Sequence, residues 1–334
     1  MGKFLAYFDL LGYKNFIEQN TPGFLDSRTN HFGRNVEMAL SLGKRRESKH
    51  PGRYLADIRE STLNSLTFSD TLVIWSQKDT LADFEEILKV SFEYNHFNVD
   101  YDFPSRGCIV YGDIWFKDYD EENQKGGRYM LNMIYGKALI DAHLKAEAMS
   151  WAGCVLDISA IEKGRSLGNI DILLHDYTMP FDVPYKVKEK GIEKEIKMPE
   201  IALRLEKGDL LITEYIEEGI KNAFTSDNKG LIEGRVKVIF DNTIEFLNAH
   251  KIKFPYCYYN DASTKDLAYE VFGKLEENYT HTIITKQQDL TEENNPIAYS
   301  KEIVQFDVQT SNRDFLNAKR ISEDEYRTVF EAAN

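Results

Sequence analysis

Hydrophobic and polar positions switch between two periods through the first half of the chain. Phe4-Leu5-Ala6-Tyr7-Phe8-Asp9-Leu10-Leu11 is short, aromatic-rich and apolar on both faces. It predicts a buried strand that ends at Gly12, with one acid near its end. A helix is expected from Tyr13 to Glu18 and a second from Arg28 to Leu42, followed by a basic loop from Gly43 to Gly52. Thr62–Phe68 and Thr71–Ser76 are β-rich runs that meet at Ser69-Asp70, a hairpin whose flanks carry no Gly. Asp79 is a candidate N-cap for a helix in which Leu81, Phe84, Leu88 and Phe92 recur at helical spacing.

Further on, Arg106–Phe116 is expected as a strand, Lys117–Arg128 as a polar loop and Met130–Tyr135 as a short strand ending at Gly136. Lys137–Met149 has strong helix propensity, and Gly153–Ile158 closes the pattern as a strand. Strands alternating with helices in this order give a mixed α/β or α+β unit over residues 1–175. Residues 176–334 are expected to form an extension of less regular pattern. Within it, Lys186–Lys197 resembles a solvated hairpin with a Lys-Gly turn. Val236 to Leu247 forms an amphipathic helix, and Leu267–Leu275 and Ser322–Ala332 are candidate helices.

Composition narrows the function. The chain has 334 residues, 42% hydrophobic and 13% aromatic, enough for a large core and about two domains. Acids outnumber bases 55 to 41, for a net charge of −14, so a broad nucleic-acid surface is not expected. No apolar run is long enough to span a membrane, and the N-terminal run does not match a signal peptide. The three scattered cysteines fit a reducing cytoplasm. The seven histidines show no paired spacing for zinc, and neither a G-x-S-x-G elbow nor a P-loop occurs.

The chemistry gathers on Asp9 and Asp70. An Asp in a tight turn ordinarily caps local N–H groups, and Asp70 alone reads that way. Asp9 interrupts an apolar strand, where a carboxylate is costly unless paired or metal-bound. Two acids brought close repel, and a hard divalent cation relieves that.

With these residues in this order, the first half of the chain resembles the class III nucleotidyl cyclases, the adenylate and guanylate cyclase superfamily. FDLLGY with Asp9 and FSDT with Asp70 resemble the family's two metal-binding acid motifs. Arg106-Gly107-Cys108-Ile109-Val110-Tyr111-Gly112 resembles its R-x-G-I-x-x-G strand, and Tyr135-Gly136-Lys137-Ala138-Leu139 with Ala142 resembles the entry to its last helix. The resemblance implies a ferredoxin-like (βαββαβ) α+β catalytic domain over 1–175 and a mixed α/β extension over 176–334. The helix of 234–250 would pack on the core. It also implies two Mg²⁺ or Mn²⁺ ions on Asp9, Asp70 and the Leu10 carbonyl. Phosphate would meet the N–H groups of Leu11, Gly12, Tyr13 and Lys14, and the base would lie near Asn64, Leu66, Asn132 and Met133. A head-to-tail homodimer would place Lys137–Met149 at the interface.

The departures are specific. Ile140 and Leu144 stand where the family offers Asn and Arg, so cationic help must come from Lys14, Arg106, Arg128, Lys137 or Lys145. Arg106, which opens an apolar strand, is the foremost of these. Leu66 and Met133 stand where purine-specific members carry a Lys and an Asp. Gly136, Ala138, Ala142 and Glu147 resemble the pyrimidine cyclases of the bacterial antiphage system Pycsar. That branch implies conversion of UTP or CTP to a 3′,5′-cyclic mononucleotide and pyrophosphate, with a separate cyclic-nucleotide-responsive effector. An adenylate or guanylate cyclase, and a catalytically silent cyclase-like module, are the alternatives.

Overall fold

The computed structural model describes residues 2–50, 54–189, 191–205 and 216–253, and the strands 280–286, 301–308 and 316–320. The first half runs β1 (Gly2–Leu10), α1 (Tyr13–Gln19), α2 (Pro22–Ser41), β2 (Arg45–Glu47), β3 (Tyr54–Ala56), β4 (Asn64–Phe68), β5 (Thr71–Trp75), α3 (Leu81–Tyr101), β6 (Ser105–Asp113), β7 (Trp115–Glu122), β8 (Arg128–Tyr135), α4 (Lys137–Ala148) and β9 (Gly153–Leu156). Then follow α5 (Ile158–Leu167), α6 (Asp171–Tyr177), β10 (Thr178–Glu189), β11 (Ile192–Leu203), α7 (Ile216–Thr225), α8 (Gly234–Lys253), β12 (Thr280–Lys286), β13 (Lys301–Val308) and β14 (Leu316–Arg320).

One seven-stranded sheet, ordered β10-β11-β9-β6-β1-β5-β4, organises the larger unit, Met1–Leu205 with Glu217–His250. Its β6-β1-β5-β4 half is antiparallel throughout. The chain visits these strands as β1, then α1–α2, β4, β5, α3 and β6. That is the βαββαβ ferredoxin-like arrangement of an α+β domain. β9 adds in parallel to β6, and the long β10–β11 hairpin extends the sheet through β11. The smaller unit comprises Glu206–Ile216 and Lys251–Asn334, and β12-β13-β14 form an antiparallel sheet within it. The candidate helices Leu267–Leu275 and Ser322–Ala332 lie outside the described residues.

β1 is buried on both faces because helices cover both. Phe4, Ala6, Phe8 and Leu10 point into a core with Phe84, Leu88 and Tyr94 of α3 and with Phe32 and Val36 of α2. Period 2 turns Leu5, Tyr7 and Asp9 to the opposite face, where α4 packs. Close approach is built into β6: a Cβ at Gly107 would lie 2.5 Å from the Phe8 ring and 3.0 Å from the Tyr7 carbonyl oxygen.

Several local expectations are corrected. Thr80, not Asp79, caps α3: its hydroxyl accepts from Asp83 N while the Asp83 carboxylate accepts from Thr80 N, a capping box. Asp79 instead pairs with Lys163 at 2.9 Å and accepts from the Tyr111 hydroxyl at 3.2 Å. α2 begins at Pro22, whose fixed φ suits the first helical turn, six residues before Arg28. The expected Gly43–Gly52 loop contains β2, which pairs with β3. The Arg106–Phe116 strand is two strands, and the polar Lys117–Arg128 segment is most of β7 and a turn. β7 and β8 form a two-stranded ribbon outside the main sheet, so its charged side chains stay in water and leave no buried face to read.

Gly107→Ala is expected to destabilise the fold by about 2 kcal/mol through overpacking against Phe8, measured by urea unfolding.

Candidate active site

Asp9 and Asp70 come together through strand pairing. Asp9 sits opposite Thr71 of β5 and opposite Arg106 of β6. Leu10 N–H donates to the Asp70 carbonyl at 2.8 Å, which fixes the β4–β5 tip against the end of β1. Ser69 holds a φ of 54°, a position where a hairpin turn usually places Gly. Such a backbone costs about 1 kcal/mol or more and persists only where the surroundings impose it.

The Asp9 carboxylate forms a salt bridge with the Arg106 guanidinium. Arg106 Nη1 also donates to the Glu147 carbonyl at 2.9 Å, at the C-terminal end of α4, where the helix dipole favours a cation. Among the described residues Arg106 Nε has no hydrogen-bond partner, although it is buried. Burial pushes the Asp9 carboxyl above the ordinary carboxylate range. Arg106 pulls it back only in part, and the nearby Asp70 charge raises it further. Asp70 likewise raises the hydroxyls of Tyr7 and Tyr13, after burial as the main cause. The Tyr7 hydroxyl lies 3.0 Å from His143 Nδ1 and 3.5 Å from Thr71 Oγ1, so α4 is tied to the same corner.

Asp9, paired with Arg106, therefore also feels the charge of Asp70 in a partly desolvated place. That donor set, all oxygen and short of positive charge, fits a hard divalent cation. Among the described residues no three His, Cys, Asp or Glu side chains form a metal-binding group, so any such ion would rest on these two acids.

The other expected residues separate into near and far. Leu10 is buried, Gly12 adopts a φ of 81°, and Tyr13 is half-buried. Lys14 is exposed and, among the described residues, pairs with Glu18. α1, whose start was expected to meet phosphate, has seven residues. Asn64 and Leu66 lie on the edge strand β4, opposite Trp75 and Val73. Asn132 and Met133 lie in the separate β7–β8 ribbon, exposed. Of the five expected cations, Arg106 alone pairs with Asp9. Arg128 pairs with Asp120, and Lys145 is committed to Asp157 at 2.8 Å and Glu200 at 2.9 Å. Lys137 is exposed. Ile140 and Leu144 point outward from α4, 58% and 56% exposed.

One residue escapes the reading from sequence. Lys186 of β10 has a buried Nζ with no hydrogen-bond partner among the described residues. Burial lowers it to about 8, and the neighbouring charges of Arg106 and Arg235 push it the same way. Its segment, KVKEKG, is indistinguishable in pattern from a solvated hairpin, and only the sheet order brings it towards Arg106.

No family model and no curated protein matches the chain. Among solved structures it is similar to the guanylate cyclase domain of RhGC from Catenaria anguillulae in complex with GTP, at 9% identity, 60% of this chain, 95% of that chain and a TM-score of 0.39. It is also similar to the adenylyl cyclase CyaB from P. aeruginosa, at 11% identity, 60% of this chain, 94% of that one and a TM-score of 0.34. A third likeness is to a bacterial light-regulated adenylyl cyclase, at 10% identity, 68% of this chain, 58% of that one and a TM-score of 0.38. Among the described residues no helix is long and apolar enough to cross a membrane.

Because the folded Asp9 carboxyl holds its proton more tightly than the unfolded chain does, its contribution to stability is present at low pH. It is lost as pH rises through the raised value. In Arg106→Met the Asp9 midpoint is expected to move further up, and millimolar Mg²⁺ or Mn²⁺ to move it down in the wild type. Carboxyl-carbon NMR titration reads the Mg²⁺ case, and the pH dependence of unfolding reads either ion.

Proposed function

We propose that this protein is a divalent-metal-dependent nucleotidyl cyclase that acts on a pyrimidine nucleoside triphosphate. The observation that carries the reading is the corner where Asp9, Arg106 and the Asp70 turn meet at the end of β1. Asp9 and Asp70 would hold Mg²⁺ or Mn²⁺, two per site, with the Leu10 carbonyl as a further oxygen. When bound, such ions lower the pKa of a ribose 3′-hydroxyl and neutralise phosphate charge. Arg106, fixed between Asp9 and the end of α4, presents a guanidinium to the triphosphate. Lys186 supplies a second cation, whose lowered value an arriving phosphate would raise. The 3′-hydroxyl gives up its proton to solvent, its oxygen attacks the α-phosphorus, the bond from that phosphorus to the oxygen bridging the α- and β-phosphates breaks, and pyrophosphate leaves.

The pyrimidine preference rests on side chains that cannot hydrogen-bond a purine edge, Leu66 and Met133, together with the Pycsar-like Gly136, Ala138, Ala142 and Glu147. The same resemblance supports a role in antiphage signalling through a separate effector, and a cytoplasmic setting. A purine cyclase and a silent cyclase-like module are the competing readings, and both answer to one experiment. Purified protein is incubated with each of the four NTPs and Mn²⁺, and the products are identified by mass spectrometry. Cyclic UMP or cyclic CMP with pyrophosphate is expected, and Asp70→Asn is expected to lose at least about 100-fold in kcat. A cyclic purine product favours the first alternative, and no turnover favours the second.

A homodimer belongs to this reading. Ile140 and Leu144 lie one helical turn apart on α4, and Met130, Met133 and Tyr129 are exposed on the ribbon that leads into it. Apolar side chains left in water on neighbouring elements favour cover by a second copy. Leu144→Asp is expected to give a monomer by light scattering, with the melting temperature held within a few degrees and cyclisation lost.

A further inference from the structure

The loop between α7 and α8 ends in a buried cation that the reaction above does not use. Lys229 has a side chain 1% exposed, and its Nζ donates to the Asp102 carbonyl at 2.6 Å, lies 3.7 Å from the Asp227 carboxylate and sits 4.0 Å from the Phe103 ring centroid. Its methylenes press on the turn that follows β1: a Cβ at Gly12 would be 3.3 Å from Lys229 Cβ and 3.5 Å from its Cδ.

The whole loop is bonded to the elements around that turn. Asn15 of α1 donates to the Lys229 carbonyl at 2.9 Å, and Asn20 donates to the Asp227 carbonyl at 2.7 Å. Arg28 of α2 bridges Asp227 at 2.6 Å and Asp102 at 2.5 Å, and Asn35 donates to Asp102 at 2.8 Å. Two cations and two carboxylates balance, so the cluster closes on itself and leaves no charge for a ligand. Asp227 and Asn228 both hold φ at 57°, and two successive left-handed residues other than Gly are kept only where contacts over-determine them. A loop more than 200 residues away in sequence is thus fastened, at a conformational cost, beneath the one glycine that lets β1 turn into α1.

We infer that Lys229 is a positioning residue for the candidate active site. Through Gly12 it fixes the Leu11–Phe16 segment, and with it the placement of Leu10 beside Asp9 and of Tyr13 beside Asp70. The inference rests on the cyclase reading for its consequence but not for its geometry. It makes α7 and α8 part of the catalytic unit, because they carry this loop. Removing the ammonium unfastens the loop from the Asp102 carbonyl and the Phe103 ring, and the turn above it gains freedom without any direct loss of a group at the site.

The test uses the full chain with Lys229→Met, which keeps most of the stem. Amide exchange over residues 11–16 is expected to quicken at least about tenfold while β5 and β6 exchange as in the wild type. With Mn²⁺ and the preferred NTP, kcat is expected to fall about tenfold and KM to change less than about twofold. Asn15→Ala, which removes only the bond to the Lys229 carbonyl, is expected to shift both in the same direction by less, and it replaces Lys229→Met if that variant does not fold. Unchanged exchange at 11–16 overturns the inference. So does exchange that quickens equally through β5 and β6, or unaltered turnover in a variant whose turn has loosened. If the wild type consumes no NTP, the cyclase reading fails by itself, and loosening confined to 11–16 still supports the fastening of the turn by Lys229.

Discussion

A carboxylate at the end of a doubly buried strand needs a partner, and the arrangement at this corner follows from how Asp9 obtains one. The β1–β6 register sets Arg106 directly opposite, and the end of α4 supplies the carbonyls that keep the guanidinium in place. A slip of one residue would turn Asp9 into the aromatic core and turn Phe8 onto the face under α4. A buried ion pair contributes little net stability, yet breaking one is expensive, so it serves register better than it serves stability. The same pairing fixes where β5 can lie, and hence where its turn presents Asp70.

The sequence is most legible where one face is buried and the period is local. β1, the β4–β5 hairpin and β9 follow from runs of apolar residues and α4 from helix propensity; their order gives a mixed α/β or α+β unit, and the family resemblance implied the ferredoxin-like arrangement that the sheet order shows. The β7–β8 ribbon escapes such a reading because both its faces meet water, so its alternation carries no apolar half. The α3 cap falls one residue away from the expected position because Asp79 and Thr80 are equally good caps by type. Reciprocal bonding with Asp83 chooses Thr80, while Lys163 claims Asp79.

For the site, Asp9 is legible because an Asp in an apolar strand is anomalous, whereas Asp70 reads as a turn residue until the resemblance pairs it with Asp9. Among the cations, Arg106 stands out because it opens an apolar strand, while the sequence does not sort Lys14, Arg128, Lys137, Lys145 and Lys186, and partner geometry does. Lys145 answers to Asp157 and Glu200, Arg128 to Asp120, and Arg106 to Asp9. The amine of Lys186 is buried without a hydrogen-bond partner among the described residues, which no single-chain pattern expresses.

The second half of the chain thus reaches the first-half corner by two separate routes. The β10–β11 hairpin brings Lys186 towards Arg106, and the α7–α8 loop brings Lys229 under Gly12. Both amines are lowered to about 8, burial being the larger cause in each, but their surroundings differ in kind. Carboxylates and a carbonyl surround Lys229, so its bonds are already made and it serves geometry. Lys186 feels two arginines as well as Glu193 and Glu147 and has no hydrogen-bond acceptor among the described residues, so its charge gains stability when an anion arrives. In the proposed reaction, an arriving triphosphate therefore raises the lowered value of Lys186 and strengthens the hold on its proton. Asp70 raises Asp9 while Arg106 lowers it, and Arg106 lowers Lys186, so a divalent cation and a triphosphate would relieve opposite charges at one corner.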